Sequence, residues 1–122
     1  THAAMTLLRG FADDMELLPW LEKKIWPAEA KLTEEDVYAG TRLACLEMIR
    51  SGTTTFNDMY WHLPGAVRAV ASMGIRGILS AVFIDLFDAD KRREQITQNR
   101  AFFETFGNRN PLIQIALGPH AI

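Results

Sequence analysis

The sequence has little of what marks secreted, membrane-bound or nucleic-acid-binding proteins. Cys45 is the only cysteine among 122 residues, so no internal disulfide can form, and the chain suits a reducing cytoplasm. No apolar run approaches the roughly 20 residues of a membrane helix, and the start lacks the blocks of a signal peptide. The 13 basic residues nearly balance the 15 acidic ones. This balance gives no electrostatic reason to expect nucleic acid or a membrane as partner.

Apolar residues, in contrast, are plentiful. They make up 48% of the chain, which is enough for one hydrophobic core in a single unit of this length. We find no internal repeat, low-complexity tract or linker-like segment. One continuous folded unit over residues 1–122 is therefore expected.

The first half of the chain predicts two helices. One runs over about residues 16–25. The second begins after Thr33, whose hydroxyl suits a helix N-cap and precedes three carboxylates, and it ends near Arg50, before Gly52. Apolar residues recur at helical spacing along the second helix. We expect them to form one buried stripe of Val37, Leu43, Ala44, Leu46, Met48 and Ile49.

Short apolar segments alternate with helical ones in the second half. We predict strands over residues 53–57, 75–84 and 112–117, with helices over about 64–72 and 90–106. The last helix is expected to bury Ile96, Phe102, Phe103 and Phe106. This order implies right-handed βαβ units around a parallel sheet, an α/β fold. A TIM barrel and a doubly wound sheet share the pattern, and the pattern does not separate them.

The most specific signals are short motifs distributed along the chain. The segment Thr1-His2-Ala3-Ala4-Met5 reads as the end of a His-x-His turn, and Gly118-Pro119-His120 follows a predicted strand. Between them lie Trp20, Pro27-Ala28-Glu29, Leu32-Thr33-Glu34-Glu35, Gly52-Thr53-Thr54-Thr55 and Asp58-Met59-Tyr60. Together these motifs resemble the amidohydrolase superfamily. The likeness is strongest to the branch that deaminates S-adenosylhomocysteine and methylthioadenosine, which is grouped with the chlorohydrolases.

The resemblance selects the barrel among the two folds. It implies a partial TIM (β/α)8 barrel, from the end of strand 1 to the end of strand 4, with parallel strands and helices outside. The chain then corresponds to about a third of a family enzyme, and two sheet edges are expected to be open. In such barrels the active site lies at the C-terminal ends of the strands. We therefore expect Asp58, Asp85 and His120 on one rim of the sheet.

The resemblance also implies metal-dependent hydrolysis of a C–N bond other than a peptide bond. His2 matches one ligand of a divalent metal, zinc or alternatively iron, which activates water for attack on the adenine ring. The remaining ligands and the proton-shuttling glutamate of the family would lie outside these residues. We therefore expect no catalytic residue in this chain, an incomplete metal site, and no activity of the chain alone.

Four further residues match substrate contacts of that family. Trp20 would pack over the nucleoside, Glu29 would accept hydrogen bonds from the ribose hydroxyls, and His120 would bond the purine ring. Arg93, or its neighbour Arg92, would pair with a substrate carboxylate. Asp58 would orient a neighbouring residue through a hydrogen bond, and Cys45 is expected to be a small buried hydrophobe.

One departure from the family weakens the assignment of the substrate. The thioether-nucleoside deaminases carry an arginine for the homocysteine carboxylate where this chain has Ala81. Methylthioadenosine, adenosine or a non-purine substrate thus remains open. The alternatives are a chlorohydrolase or guanine-type deaminase, or a non-catalytic half-barrel scaffold. The expected partners are a small nucleoside, and either a second copy of the chain or the rest of the barrel.

Overall fold

The elements of the computed structural model, which describes residues 1–107 and 109–121, follow the predicted order. The predicted helix over residues 16–25 continues to residue 29 as consecutive α, π and α segments. In chain order the elements are a 3-10 turn (Ala3–Leu8), α1 (Leu17–Trp20), a π turn (Leu21–Ile25), α2 (Trp26–Glu29), α3 (Glu34–Arg50), β1 (Thr55–Tyr60), α4 (Leu63–Met73), β2 (Arg76–Ile84), α5 (Ala89–Phe106) and β3 (Ile113–Ala121).

Helix α3 begins where its sequence provides a cap. The Thr33 hydroxyl accepts a hydrogen bond from the Asp36 amide at 3.2 Å, and the Thr33 amide donates to the Asp36 carboxylate at 2.8 Å. This reciprocal pair is a capping box, and it satisfies two amides that would otherwise lack partners. The hydrogen bond from Thr33 also holds the pKa of Asp36 below its usual value.

The three strands form one parallel sheet in the order β1-β2-β3. This arrangement confirms the predicted parallel α/β fold. Each pair is joined by a helix, α4 between β1 and β2 and α5 between β2 and β3, as βαβ units require. Helices α3 and α4 pack on each other, and Arg68 of α4 bonds Glu34 at 2.9 Å and Glu35 at 2.6 Å.

The strand boundaries differ from the prediction at both ends of β1 and β3 and by one residue at the start of β2. The amide of Thr53 donates to the carbonyl of Met48 at 2.9 Å, so Thr53 belongs to the end of α3 and β1 starts two residues later. Strand β3 continues through Gly118, Pro119 and His120, although Gly-Pro predicted its end. Proline is tolerated here because β3 lies at an edge of the sheet among the described residues.

The core lies between the sheet and the helices, and it contains Val37, Ala44, Cys45, Phe56, Val70 and Leu79, among others. Burial raises the pKa of Cys45 to about 11, so its thiol stays protonated at neutral pH. The predicted stripe on α3 was too wide. Leu43, Leu46 and Ile49 are 39%, 45% and 44% exposed, because only the face of α3 with Val37 and Ala44 turns toward the core.

The predicted core face of α5 was also partly wrong. Phe102 and Phe106 pack against the core, whereas Ile96 and Phe103 are 39% and 40% exposed. Ile96 and Phe103 instead line a groove with Phe83 and Leu117 beside β3. This groove is open because no described element packs beyond β3.

The 3-10 turn packs closely on α3 at Gly40. A Cβ atom at Gly40 would lie 2.5 Å from the carbonyl oxygen of Ala4, which is inside van der Waals contact. The Thr6 hydroxyl donates to the Gly40 carbonyl at 2.8 Å and fixes the contact. The absence of a side chain at Gly40 therefore lets the 3-10 turn after His2 lie directly against α3.

We expect Gly40→Ala to lower the free energy of unfolding by about 1–3 kcal/mol, because the added methyl overpacks a backbone contact. The intrinsic helix preference of alanine acts in the opposite direction by about 1 kcal/mol. Urea denaturation of the variant and the parent protein would measure the net effect. A gain in stability would show that the turn does not pack on α3 in solution.

Candidate functional site

The ring of His2 is oriented by a carbonyl group. Its Nδ1 lies 2.6 Å from the carbonyl oxygen of Met59 in β1. A carbonyl only accepts hydrogen bonds, so Nδ1 carries a proton. In the neutral tautomer with this proton, the lone pair lies on Nε2. The side chain is exposed. This is the orientation in which a histidine with a second hydrogen bond ligates a metal.

The Asp58 side chain is hydrogen-bonded to the residues on both sides of His2. Its carboxylate is buried, and Oδ1 accepts hydrogen bonds from the Ala3 amide at 2.8 Å and the Thr1 hydroxyl at 2.7 Å. Residue 58 lies within β1 two residues before its end, level with Leu79 of β2. One buried acid therefore fixes the two neighbours of His2, while the next residue, Met59, fixes its ring.

Tyr60 is the last residue of β1, and its ring lies beside the ring of His2. The two ring centroids are 5.7 Å apart, with the planes tilted by 41°. The Tyr60 side chain is 4% exposed, and its hydroxyl has no hydrogen-bond partner among the described residues. Burial, and after it the neighbouring Glu29 carboxylate, raise the pKa of this hydroxyl. Tyr60 thus separates His2 from Glu29.

A cavity of about 710 Å³ opens beyond Tyr60, between the α2 region, α4 and α5. Glu29 contributes its half-buried carboxylate, and Ala81 and Val82 form the wall from β2. No arginine or lysine is among the described residues that line it. Those residues are Trp26, Glu29, Ala30, Leu32, Glu34, Tyr60, Trp61, His62, Leu63, Pro64, Ala81, Val82, Gln95, Gln98 and Phe102.

A second cavity of about 490 Å³ lies on the open face of the sheet beside His2. Asn57 and Met59 of β1, Ser80 of β2 and Gly118 of β3 line it with His2. Alternate residues of a strand point to opposite faces, so Met59 and Tyr60 face different cavities. Tyr60 lines the first cavity, and His2 and Met59 line the second.

The other predicted contacts lie outside these two cavities. Trp20 is half-buried in α1, and His120 is exposed near the end of β3. Arg93 is exposed and pairs with Asp90 within the first turn of α5. Its neighbour Arg92 instead bonds Asp85, and this hydrogen bond lowers the pKa of the Asp85 carboxyl.

The three residues expected on one rim have separate partners. Asp58 is bonded to residues 1 and 3, Asp85 to Arg92, and His120 lies at the far strand. Within residues 1–107 and 109–121, no group of three or more His, Cys, Asp or Glu side chains is placed to hold a metal. A metal site that includes His2 would therefore need ligands from other residues.

Comparison with known families identifies the family to which this chain belongs. The model of the amidohydrolase family matches residues 1–121. The chain belongs to the amidohydrolase family. The family predicted from the sequence motifs is thereby confirmed.

Relatives of this amidohydrolase chain carry one shared name. It is 57% identical to the 5′-deoxyadenosine deaminase of Methanoregula boonei, over 99% of this chain and 28% of that protein. It is 52% identical to the 5′-deoxyadenosine deaminase of Methanocaldococcus jannaschii, over 99% of this chain and 29% of that protein. The chain thus spans less than a third of the length of these relatives.

Solved amidohydrolase structures share the fold. An adenosine deaminase from Xanthomonas campestris, crystallised with bound zinc, matches with a TM-score of 0.86 and 38% identity, over 98% of this chain and 28% of that one. A guanine deaminase from C. acetobutylicum has a TM-score of 0.82 at 20% identity, over 98% of this chain and 31% of that one, and supports the fold alone. The three parallel strands are therefore part of a (β/α)8 barrel.

Within this amidohydrolase site, the sequence did not reveal the position of Tyr60. The one indication in the sequence was that alternate residues of β1 face the same side, which places Tyr60 with the buried residues Phe56 and Asp58. The two contacts that matter, with His2 and Glu29, join residues far apart in the chain. Spacing along the sequence does not show such contacts.

Across the described residues, we find no helix both long and apolar enough to span a membrane.

Proposed function

We propose that this chain is the part of a metal-dependent nucleoside deaminase that supplies one metal ligand and the ribose-binding side of its active site. One observation carries this proposal. His2, with its free Nε2, and the Glu29 carboxylate lie on the two sides of a single side chain, Tyr60. A nucleoside presents a base at one end and a vicinal diol at the other, and a metal-activated water and a carboxylate are the groups that would address these two ends.

The reaction is hydrolysis of the bond between the adenine ring and its amino group. The oxygen of water forms a bond to the ring carbon, the C–N bond breaks, and the amino group leaves as ammonia with one proton of water. The other proton of water stays on the deaminated ring. A bound divalent metal, zinc in the related adenosine deaminase, supplies activated water at neutral pH. His2 would hold that metal through Nε2, and the carbonyl of Met59 would keep its ring in the ligating tautomer.

Glu29 would bind the sugar, since a carboxylate accepts two hydrogen bonds from a vicinal diol. Trp20 and His120 would contact the nucleoside once the remaining barrel strands bring the rim together. The rest of the barrel would also cover the groove beside β3. With one metal ligand among the described residues, residues 1–122 alone would be inactive.

We propose 5′-deoxyadenosine, or a nucleoside with a similarly small and uncharged 5′ group, as the substrate. The cavity beside Glu29 has Ala81 in its wall and lacks a cationic side chain among its described lining. A homocysteine carboxylate would find no cationic side chain among these described lining residues. Arg93, which pairs with Asp90, would remain at the surface.

Ammonia release by the whole protein, with and without added zinc, tests this function. We expect 5′-deoxyadenosine to be deaminated with a kcat/KM at least about tenfold above that of S-adenosylhomocysteine, and chelation to abolish the reaction. Preferred release of ammonia from guanine, or of chloride from a chlorinated triazine, would assign the protein to another amidohydrolase activity. No turnover of any of these compounds would contradict the proposal.

A further inference from the structure

Tyr60 has a feature that folding alone does not require. Its hydroxyl is buried without a hydrogen-bond partner among the described residues, although burying an unsatisfied polar group costs about 1–3 kcal/mol. A phenylalanine would fill the same space beside Leu63 and Ala66 in the core without that cost. A hydrogen-bond partner for this hydroxyl would remove that cost.

A charged acceptor beside this hydroxyl is the carboxylate of Glu29. Glu29 lies at the end of α2, half-buried, and lines the same cavity as Tyr60. No hydrogen bond or ion pair of the described residues holds this carboxylate, whereas Glu34, in the same cavity, is paired with Arg68. Among the described residues, no other partner thus holds the Glu29 carboxylate away from Tyr60, which lies at the end of β1 against the ring of His2.

We propose that Tyr60 is a positioning residue for nucleoside binding: its hydroxyl donates a hydrogen bond to one oxygen of Glu29 and leaves the other to accept from a ribose hydroxyl. This inference rests on the proposed function. The bond forms when the sugar draws Glu29 into the cavity, and the charged acceptor makes it about twice as strong as a neutral hydrogen bond. Because the Tyr60 ring contacts His2, the same residue sets the distance between the metal ligand and the sugar.

The test compares Tyr60→Phe with the parent in the whole, zinc-loaded protein. The substrates are 5′-deoxyadenosine and its 2′,3′-dideoxy analogue, which lacks the diol. We expect the KM for 5′-deoxyadenosine to rise about tenfold with kcat within about twofold, as loss of a hydrogen bond to a charged group implies. The kinetic constants for the dideoxy analogue should not change. The thermal unfolding midpoint should not fall, because the variant no longer buries an unpaired hydroxyl.

Two controls make the result specific. Tyr38→Phe removes the hydroxyl of the chain's other tyrosine, which lies on α3 under Arg68. This variant should leave the kinetic constants for both substrates unchanged. In a Glu29→Gln background, Tyr60→Phe should have little further effect, because the two residues act as a unit. Equal losses on both substrates, or no loss on either, would overturn the positioning role. Failure of the parent protein to deaminate any nucleoside would instead overturn the proposed function, and this inference with it.

Discussion

Replacing Asp58 by alanine is expected to lower the free energy of unfolding by about 2–3 kcal/mol. The substitution leaves the buried Ala3 amide without its acceptor at 2.8 Å, and it also removes the bond from the Thr1 hydroxyl. An unsatisfied buried donor costs about 1–3 kcal/mol, and such losses are among the recognised causes of large single-residue effects. Urea denaturation, with an unchanged m-value, measures the loss.

Two variants test the cause of this loss. Asp58→Asn keeps an oxygen that can accept a hydrogen bond from the Ala3 amide. Its loss in free energy of unfolding should therefore be less than half that of Asp58→Ala. Asp13→Ala removes an exposed acid from the same N-terminal region and should change stability by less than about 0.5 kcal/mol. If Asp58→Ala were as mild as Asp13→Ala, the buried bonds to residues 1 and 3 would not exist in solution.

Replacing His2 by alanine is expected to lower kcat/KM of the whole protein for 5′-deoxyadenosine by at least about a hundredfold. Loss of a residue that only orients a ligand costs about 10–100-fold in metal affinity or activity, and loss of the ligand itself should exceed that. The bound zinc, measured by atomic absorption after dialysis, should fall well below that of the parent. The fold should persist, because the His2 side chain is exposed.

Arg9→Ala is the matched control for His2. Arg9 follows the same 3-10 turn and makes an exposed ion pair with Glu47 at 2.7 Å. Such surface pairs contribute little, so zinc content and activity should equal those of the parent. Full zinc content and activity of the His2→Ala variant would show that His2 is not a ligand.

The order of elements could be predicted because each carries a local signal. The Thr33–Asp36 capping box starts α3 as the sequence indicated, and the turns at Gly52 and Gly74 have positive φ angles of 86° and 69°. The outer face of α3 could not be predicted in this way. Apolar residues such as Leu46 occur on both faces of that helix, and only the packing shows which face is buried.

The site could be predicted in part for the same reason. The roles of His2 and Glu29 were inferred from their motifs and stay predictions, and Asp58 was expected to orient a neighbour. The sequence did not show which neighbour Asp58 holds, because the bonds to Ala3 and Thr1 cross more than 50 residues. The role of Tyr60 depends on a contact of 5.7 Å with His2, which no spacing rule predicts.

The central claim is that His2 and Glu29 bind opposite ends of one nucleoside. A crystal structure of the whole protein, with zinc and the deaminated product of 5′-deoxyadenosine, tests it most directly. The account predicts zinc on Nε2 of His2, the purine toward that zinc, and a ribose hydroxyl about 2.5–3.0 Å from the Glu29 carboxylate. A ribose bound away from Glu29, or zinc held without His2, would contradict it.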